Sequence, residues 1–156
     1  MATNKSDKAK SYCYDHPRPA VTVDIVLLHR SAVGIEVLLI KRGRDPFEGH
    51  WAFPGGFVDK DESLEDAAAR ELVEETGLSG IHIEQIGAFG DPGRDPRGHT
   101  VSVVFAGVLE DRVLVSAGDD ASEAAWHPAL EPPALAFDHN KILSTTLERL
   151  RNERRI

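Results

Sequence analysis

Residues Gly56 to Leu78 read GFVDKDESLEDAAARELVEETGL, and the order of helix-starting and helix-ending residues in this stretch decides the fold. Ser63 followed three positions later by Asp66 resembles a capping box, in which side chains satisfy free backbone amides of the first helical turn. The Ala- and Leu-rich run behind them has high helix propensity. The sequence therefore predicts a helix that begins near Ser63 and ends at Gly77.

Three glutamates near the end of this helix should lie on one face. Each residue turns a helix by about 100°, which places Glu71, Glu74 and Glu75 within an arc of about 100°. Like charges at this spacing repel each other, and the negative end of the helix dipole disfavours them further. Clustered carboxylate oxygens suit Mg²⁺ or Mn²⁺, and Arg70 could orient one carboxylate by a bidentate hydrogen bond. We therefore predict a metal site, although glutamate-rich helices in general more often only present a solvated face.

The whole stretch fits the pattern G-x5-E-x7-R-E-U-x-E-E-x-G-U, where U is an aliphatic residue, at every fixed position. This pattern resembles the signature of the Nudix hydrolases, which use divalent metal to cleave a diphosphate linked to another group X. The resemblance implies metal binding by Gly56, Glu71, Glu74 and Glu75. It also implies that Arg70 orients Glu71, and that Gly55 and Gly56 let the backbone approach metal or phosphate. Glu62 is a weaker ligand candidate.

Composition and charge are those of a small acidic enzyme. A length of 156 residues suits one domain, for which we expect residues 20–156 after a flexible tail at 1–19. The tail lacks the apolar run of a signal peptide, and no segment reaches transmembrane length. A net charge of −8 and a pI near 5.3 argue against binding to nucleic acid or a membrane surface. Cys13 is the only cysteine, which excludes an intrachain disulfide and favours a cytoplasmic protein.

Apolar runs around the helix predict a mixed α/β architecture. Strands are expected at residues 20–29, 35–41, 51–53, 81–89, 100–109 and 123–127. The run at 100–109 is almost continuously apolar, which predicts a central strand. Residues 138–151 should form a second helix with an apolar face made by Ile142, Leu143, Leu147 and Leu150. Two helices on a mixed sheet give an α/β/α sandwich, the Nudix fold that the resemblance also implies.

The loop from Gly90 to His99 reads GDPGRDPRGH and is the second informative segment. Arg94 and Arg97 suit bidentate phosphate recognition, and two prolines stiffen a loop that would otherwise lose entropy on binding. We interpret Arg94, Arg97 and His99 as substrate contacts. The alternative is that Asp-Pro-Gly and Asp-Pro-Arg-Gly are ordinary turn sequences with solvated arginines.

Two further motifs resemble one branch of the Nudix family, the ADP-ribose pyrophosphatases. They are the stretch RDPRGH followed by VSVVF, and the tail made of Trp126, Pro128 and the LAFDH run at residues 135–139. The resemblance covers about residues 20–145. It implies a small-molecule nucleotide substrate, ADP-ribose, cut to AMP and ribose 5-phosphate, and it suggests a homodimer.

The residue that takes a proton from the attacking water is open between two positions. In some Nudix enzymes it is the glutamate of the R-E pair, here Glu71. ADP-ribose enzymes often use an acidic residue from a later loop, for which Asp119, Asp120 and Glu123 are the local options. Both aspartates also suit a purely structural turn.

Four aromatic residues, Trp51, Phe57, Phe89 and Phe137, are candidates for stacking on an adenine ring. For each of them, a place in the core is the favoured interpretation.

Other functions remain as alternatives. A pyrophosphohydrolase that removes damaged nucleoside triphosphates is the first, and a dinucleoside polyphosphate hydrolase is the second. An ADP-ribose-sensing domain fused to a DNA-binding module is a third, but strands and a helix account for the residues beyond Leu78. The intact glutamate set favours turnover over sensing.

Overall fold

The computed structural model describes residues 12–118 and 121–156. Within them the chain forms β1 (Ala20–Ser31), β2 (Gly34–Arg42), β3 (Trp51–Ala52), β4 (Gly55–Phe57), α1 (Leu64–Thr76), β5 (Glu84–Phe89), β6 (Thr100–Leu109), β7 (Ala121–Pro128) and α2 (His139–Asn152). Residues 12–19 of the predicted tail are exposed and carry no helix or strand, and residues 1–11 lie outside the described part. Neither described helix is long and apolar enough to cross a membrane.

The strands form one mixed sheet in the order β3-β2-β1-β6-β5, with β4 paired to β1 and β7 paired to β2. β1 and β6 run parallel over ten residue pairs, from Ala20 opposite Thr100 to His29 opposite Leu109. The other strand pairs are antiparallel. β6 lies between β1 and β5, so the prediction of a central strand is confirmed.

The two helices cover opposite faces of this sheet because side chains alternate along each strand. Val23, Ile25 and Leu27 of β1 belong to a buried cluster that also contains Ala67, Ala68 and Leu72 of α1. Val26 and Leu28 point the other way and join the apolar face of α2, formed by Ile142, Leu143, Leu147 and Leu150. The predicted α/β/α sandwich is confirmed.

The ends of α1 are those that the sequence predicted. Ser63 is its N-cap and accepts a hydrogen bond from the backbone N–H of Asp66 at 3.1 Å. Gly77 ends the helix in the left-handed conformation, and its N–H bonds the carbonyl of Val73 at 2.9 Å. The glutamates of the last turns are therefore held by a helix with defined caps at both ends.

Local predictions need correction near the cavity described below. The short strand at 51–53 ends at Ala52, because the Phe53 N–H donates to the ring of His139 rather than to a neighbouring strand. Gly55 and Gly56, which no predicted strand includes, belong to β4 and pair with β1. The strand expected at 81–89 begins only at Glu84.

Candidate active site

A cavity of about 290 Å³ opens where β1, β2 and β4 meet α1, the loop at 90–99 and the start of α2. Its wall carries both signs of charge. The charged and aromatic lining residues are Asp24, Asp59, Glu71, Glu75, Asp95, Arg42, Arg44, Arg70, Arg94, Arg97, Phe53, Phe57, Phe137 and His139. Five of the predicted site residues of α1 and of the stretch before it (Gly55, Gly56, Arg70, Glu71 and Glu75) are thus brought together.

The two carboxylates that α1 contributes to the wall are nearly buried. Glu71 and Glu75 are each 9% exposed. Burial raises the pKa of Glu71, and the hydrogen bond from Arg70 at 2.8 Å works against that rise. Glu75 Oε2 accepts the backbone N–H of Gly55 at 2.9 Å, which fixes this carboxylate against β4. Two anionic groups are therefore held in place at one side of the cavity.

Arg70 orders the carboxylates around it. Its Nε and Nη2 donate to Glu62 at 2.7 and 2.9 Å, and its Nη1 donates to Glu71 at 2.8 Å and to Glu74 at 3.3 Å. The hydrogen bonds that Glu62 accepts, led by those from Arg70, lower its pKa to about 2. Glu62 thus accepts two hydrogen bonds from Arg70. The contact between Arg70 and Glu71 matches the orienting role predicted for the arginine.

Gly56 lines the cavity, whereas Glu74 does not. A Cβ at Gly56 would overlap Oε1 of Glu71 and lie 2.7 Å from its Cδ, so the glycine lets this carboxylate rest on the backbone of β4. The side chain of Glu74 is 57% exposed and lies outside the lining, and Arg70 joins it to the other carboxylates. The third glutamate of the predicted ligand set therefore faces solvent.

The two arginines of the 90–99 loop line the cavity, and each is already bound by a carboxylate. Arg94 is almost fully buried and donates to both oxygens of Asp138, at 3.0 and 2.6 Å. Arg97 is more open and donates to Asp95 at 2.7 to 3.3 Å. Burial raises the pKa of Asp95, but the hydrogen bonds from Arg97 outweigh it and the pKa is lowered. Arg94 therefore ties the loop to α2, and Arg97 keeps its guanidinium plane fixed at the cavity.

Besides Glu74, two predicted site residues are not brought into the cavity, and one more lies outside the described part of the chain. The ring of His99 contacts the carbonyl of Gly90 at 3.0 Å on the exposed side of its loop. Glu123 is exposed on β7 and lies 3.9 Å from Lys41. Asp120, like Asp119, lies outside the described residues. The assignment of the general base among Glu71, Asp120 and Glu123 stays a prediction.

The core interpretation is wrong for Phe57, whereas Phe137 packs against a buried cluster and also lines the cavity. Phe57 is 45% exposed and lines the cavity, with the guanidinium of Arg97 4.9 Å above its ring. Phe137 has a φ of 52°, in the region that L residues avoid, and the guanidinium of Arg42 lies 4.9 Å from its ring. Two aromatic rings thus border the cavity, each beside a cationic side chain.

Sequence reasoning missed the floor of the cavity. Asp24 lies in the middle of an apolar strand, accepts a hydrogen bond from Ser102 and lies 3.6 Å from Nε2 of His139. Nδ1 of His139 accepts the N–H of Phe53 at 3.1 Å. A charged residue inside an otherwise apolar run was the available indication for Asp24. His139 was included only as the last residue of the LAFDH motif, and its place here depends on partners that are 86 and 115 positions away in the chain.

Arg42, the last residue of β2, also belongs to the site. It lines the cavity and donates from Nε to the carbonyl of Pro46 at 2.7 Å. Burial lowers its pKa first, and repulsion from Arg97 lowers it further. An anion in the cavity would relieve both effects.

Residues 18–149 match the family model described as NUDIX domain. The chain belongs to the Nudix family. This Nudix chain is 44% identical over 139 residues to an ADP-ribose pyrophosphatase of Methanocaldococcus jannaschii, a match that covers 89% of this chain and 78% of the relative. It is 34% identical over 146 residues to an ADPR responsive transcriptional repressor of Acinetobacter baylyi, covering 90% of this chain but only 58% of the repressor. The solved NUDIX domain of Shewanella oneidensis NrtR, in complex with ADP ribose, matches with a TM-score of 0.78 at 34% identity, over 86% of this chain and 90% of that domain.

Nudix hydrolases need divalent metal ions, and the donor set of this cavity fits one. Among residues 12–118 and 121–156, no three acidic, His or Cys side chains already form a group that could hold a metal. Mg²⁺, however, commonly takes only one or two carboxylates and completes its shell with substrate phosphates and water. Glu71 and Glu75 supply two such carboxylates beside Gly55 and Gly56.

Proposed function

We propose that the protein hydrolyses the diphosphate of ADP-ribose, giving AMP and ribose 5-phosphate. The observation that carries the proposal is a single cavity with buried carboxylates from α1 on one side and arginines and aromatic rings on the other. A diphosphate needs cationic partners, and a nucleoside needs an apolar face for its base. The similarity to an ADP-ribose pyrophosphatase and to an ADP ribose-bound domain supports ADP-ribose as the substrate.

The roles of the residues follow from their places in the cavity. Glu71 and Glu75, with Gly56 and the more exposed Glu74, are the residues that would hold a divalent metal. A bound Mg²⁺, or Mn²⁺ in its place, would neutralise charge on the phosphoryl oxygens and make a water more acidic. Arg70 keeps Glu71 oriented by its 2.8 Å hydrogen bond. The proton of the attacking water goes to a carboxylate, for which Glu71 is the described candidate in the cavity wall.

The other side of the cavity would bind the organic parts of the substrate. Arg42 is half-buried among other arginines and suits a phosphate oxygen. Phe57 is 45% exposed in the cavity wall with Arg97 above its ring, and this pair of flat groups suits contact with a planar base. Arg94 also lines the cavity, and its ion pair with Asp138 anchors the loop there.

A comparison of substrates tests the proposal. With Mg²⁺ present, ADP-ribose should be cleaved with a higher kcat/KM than any nucleoside triphosphate, and chromatography should identify AMP and ribose 5-phosphate in equal amounts. A preference for an oxidised purine triphosphate would replace the proposal by the nucleotide-pool alternative. Tight binding of ADP-ribose without turnover would favour a sensing domain.

Three finer expectations accompany this function. We expect Mg²⁺ to be the ion used, a homodimer in solution, and a cytoplasmic location. Activity with Mg²⁺, Mn²⁺ and Ca²⁺ compared at equal concentration tests the first. Light scattering during gel filtration tests the second.

A further inference from the structure

Residues 113–118 form a segment between β6 and β7 that lies on the C-terminal end of α1. The backbone N–H of Ser116 donates to the carbonyl of Thr76, and that of Gly118 donates to the carbonyl of Glu75, each at 3.2 Å. The last turn of α1 contains no basic residue, so its carbonyls have no cationic side chain of their own helix to meet. The backbone amides of Ser116 and Gly118 instead satisfy carbonyls at the end of the helix that carries the glutamates.

Gly118 lies against the peptide that joins Glu74 to Glu75. A Cβ at Gly118 would overlap the carbonyl oxygen of Glu74 and lie 2.7 Å from its carbonyl carbon and 3.2 Å from Cα of Glu75. The backbone of Gly118 is outside the left-handed region, so an L residue is excluded by lack of space rather than by conformation. The obstacle is backbone, which cannot turn aside as a flexible side chain would.

The same segment is anchored at both ends. Trp126 donates from its indole Nε1 to the carbonyl of Val113 at 3.1 Å, and Val113 and Val115 pack against the buried cluster under α1. On the other side of Gly118, its carbonyl accepts the N–H of Ala121 at 3.2 Å. Ala121 begins β7 and pairs with Arg42 of β2. The segment therefore connects the carboxylate side of the cavity to its arginine side.

We propose that Gly118 is a positioning residue that sets the Glu74–Glu75 peptide relative to the sheet and so places the Glu75 carboxylate for metal. Glu75 Oε2 lies 2.9 Å from the Gly55 nitrogen, so a shift of the Glu75 backbone would move the carboxylate relative to β4. A β-carbon at position 118 would push the peptide and the segment apart. This inference rests on the metal role given to Glu75 under the proposed function.

A pair of glycine substitutions tests it. Gly118→Ala adds one methyl group against the α1 backbone, whereas Gly87→Ala adds the same group in β5, where a Cβ meets nothing within 4 Å and the φ is ordinary. The measurement is the affinity for Mn²⁺ alone, followed by electron paramagnetic resonance of the free ion. We expect the Kd of Gly118→Ala to rise at least about tenfold, which is about 1.4 kcal/mol of lost binding. Gly87→Ala should stay within about twofold of the unsubstituted protein.

Amide hydrogen exchange on the unsubstituted protein keeps the test independent of how well Gly118→Ala folds. If the segment and the metal residues move together, Mg²⁺ should slow exchange of the Ser116 and Gly118 amides and leave that of Gly87 unchanged. Equal Mn²⁺ affinity in Gly118→Ala, or no change in exchange, overturns the inference.

Glu75→Gln separates this inference from the proposal on which it rests. If Glu75→Gln weakens Mn²⁺ binding and Gly118→Ala does not, only the role of Gly118 is wrong. If Glu75→Gln binds Mn²⁺ as tightly as the unsubstituted protein, the metal role of Glu75 itself fails.

Discussion

Glu75 accepts a hydrogen bond that a neutral amide could also accept, but the amide would lack the negative charge of the carboxylate. Its Oε2 accepts the Gly55 N–H at 2.9 Å inside the cavity wall. Glu75→Gln keeps the size and this acceptor but removes one negative charge, so kcat for ADP-ribose should fall at least about a hundredfold, the scale of metal and electrostatic contributions to catalysis. Glu65→Gln, on the exposed first turn of the same helix, is the control and should leave kcat unchanged. Full activity of Glu75→Gln, or of the native protein in excess EDTA, would contradict the prediction.

Arg97 is at once a partner of a buried carboxylate and a candidate substrate contact. Asp95 is 4% exposed, and Arg97→Ala would leave it without its guanidinium. Since the arginine is itself partly solvated, we expect a loss of about 1–2 kcal/mol in the free energy of unfolding. The melting temperature should fall accordingly, which calorimetry measures.

The double variant Arg97→Ala with Asp95→Asn separates the two roles of Arg97. Removing the carboxylate charge should restore most of the stability, because no buried charge then lacks a partner. We expect kcat/KM for ADP-ribose to stay about tenfold or more below that of the native protein even so. Recovery of kcat/KM together with stability would assign the pair to architecture alone.

Among the secondary-structure elements, α2 is joined to the strands below it through its first residue, His139. Its Nδ1 accepts the N–H of Phe53 at 3.1 Å, its ring stacks on that of Phe53, and Asp24 lies 3.6 Å from its Nε2. Burial lowers the pKa of His139, and the nearby Asp24 only partly opposes this. The histidine is therefore neutral in the folded protein at pH 7.

This lowered pKa predicts how stability depends on pH. The unfolded chain takes up the proton near pH 6.5, while the folded protein takes it up only at lower pH, so the unfolded state binds more protons between the two values. The free energy of unfolding contributed by His139 is fully present above about pH 6.5. It is lost as the pH falls below that value, by up to about 1.4 kcal/mol per pH unit.

Urea unfolding between about pH 7 and pH 5 measures this slope. His139→Gln retains an acceptor for Phe53 but has no proton to gain, so its unfolding free energy should depend less on pH than that of the native protein. His16→Gln, at an exposed position before β1, is the control and should keep the native slope. An unchanged slope in His139→Gln would show that another group carries the dependence.

For the molecule as a whole, metal binding should be visible as stability. A ligand that binds only the folded state adds RT ln(1 + [L]/Kd), about 2.7 kcal/mol at a hundred times Kd. For a domain of 156 residues this corresponds to a rise of roughly 5–10 °C in the melting temperature. Saturating Mn²⁺ should produce that rise in the native protein and much less of it in Glu71→Gln or Glu75→Gln. A rise of equal size in all three would place the metal elsewhere.

Local spacing in the chain was enough to predict both helices, most of the strands and the family. The helix from Ser63 to Gly77, the layers on either side of the sheet and the box of glutamates all follow from it, because caps act within a few residues and alternation acts along one strand. For the same reason the sequence alone could place Arg70, Glu71 and Gly56 together, since they lie within one helix and the short stretch that precedes it. The family match over residues 18–149 agrees with that interpretation.

The side chains that complete the cavity could be identified only from the tertiary structure. Asp24, Arg42 and His139 come from β1, β2 and α2, and their meeting depends on the pairing of β1 with β2 and on the place where the distant α2 starts. The fold also determines that Arg94 and Arg97 are held by Asp138 and Asp95, that Phe57 stays open, and that Gly118 touches the α1 backbone. The physical reason is that burial and long-range contacts set these roles, and neither is encoded in the spacing of neighbouring residues.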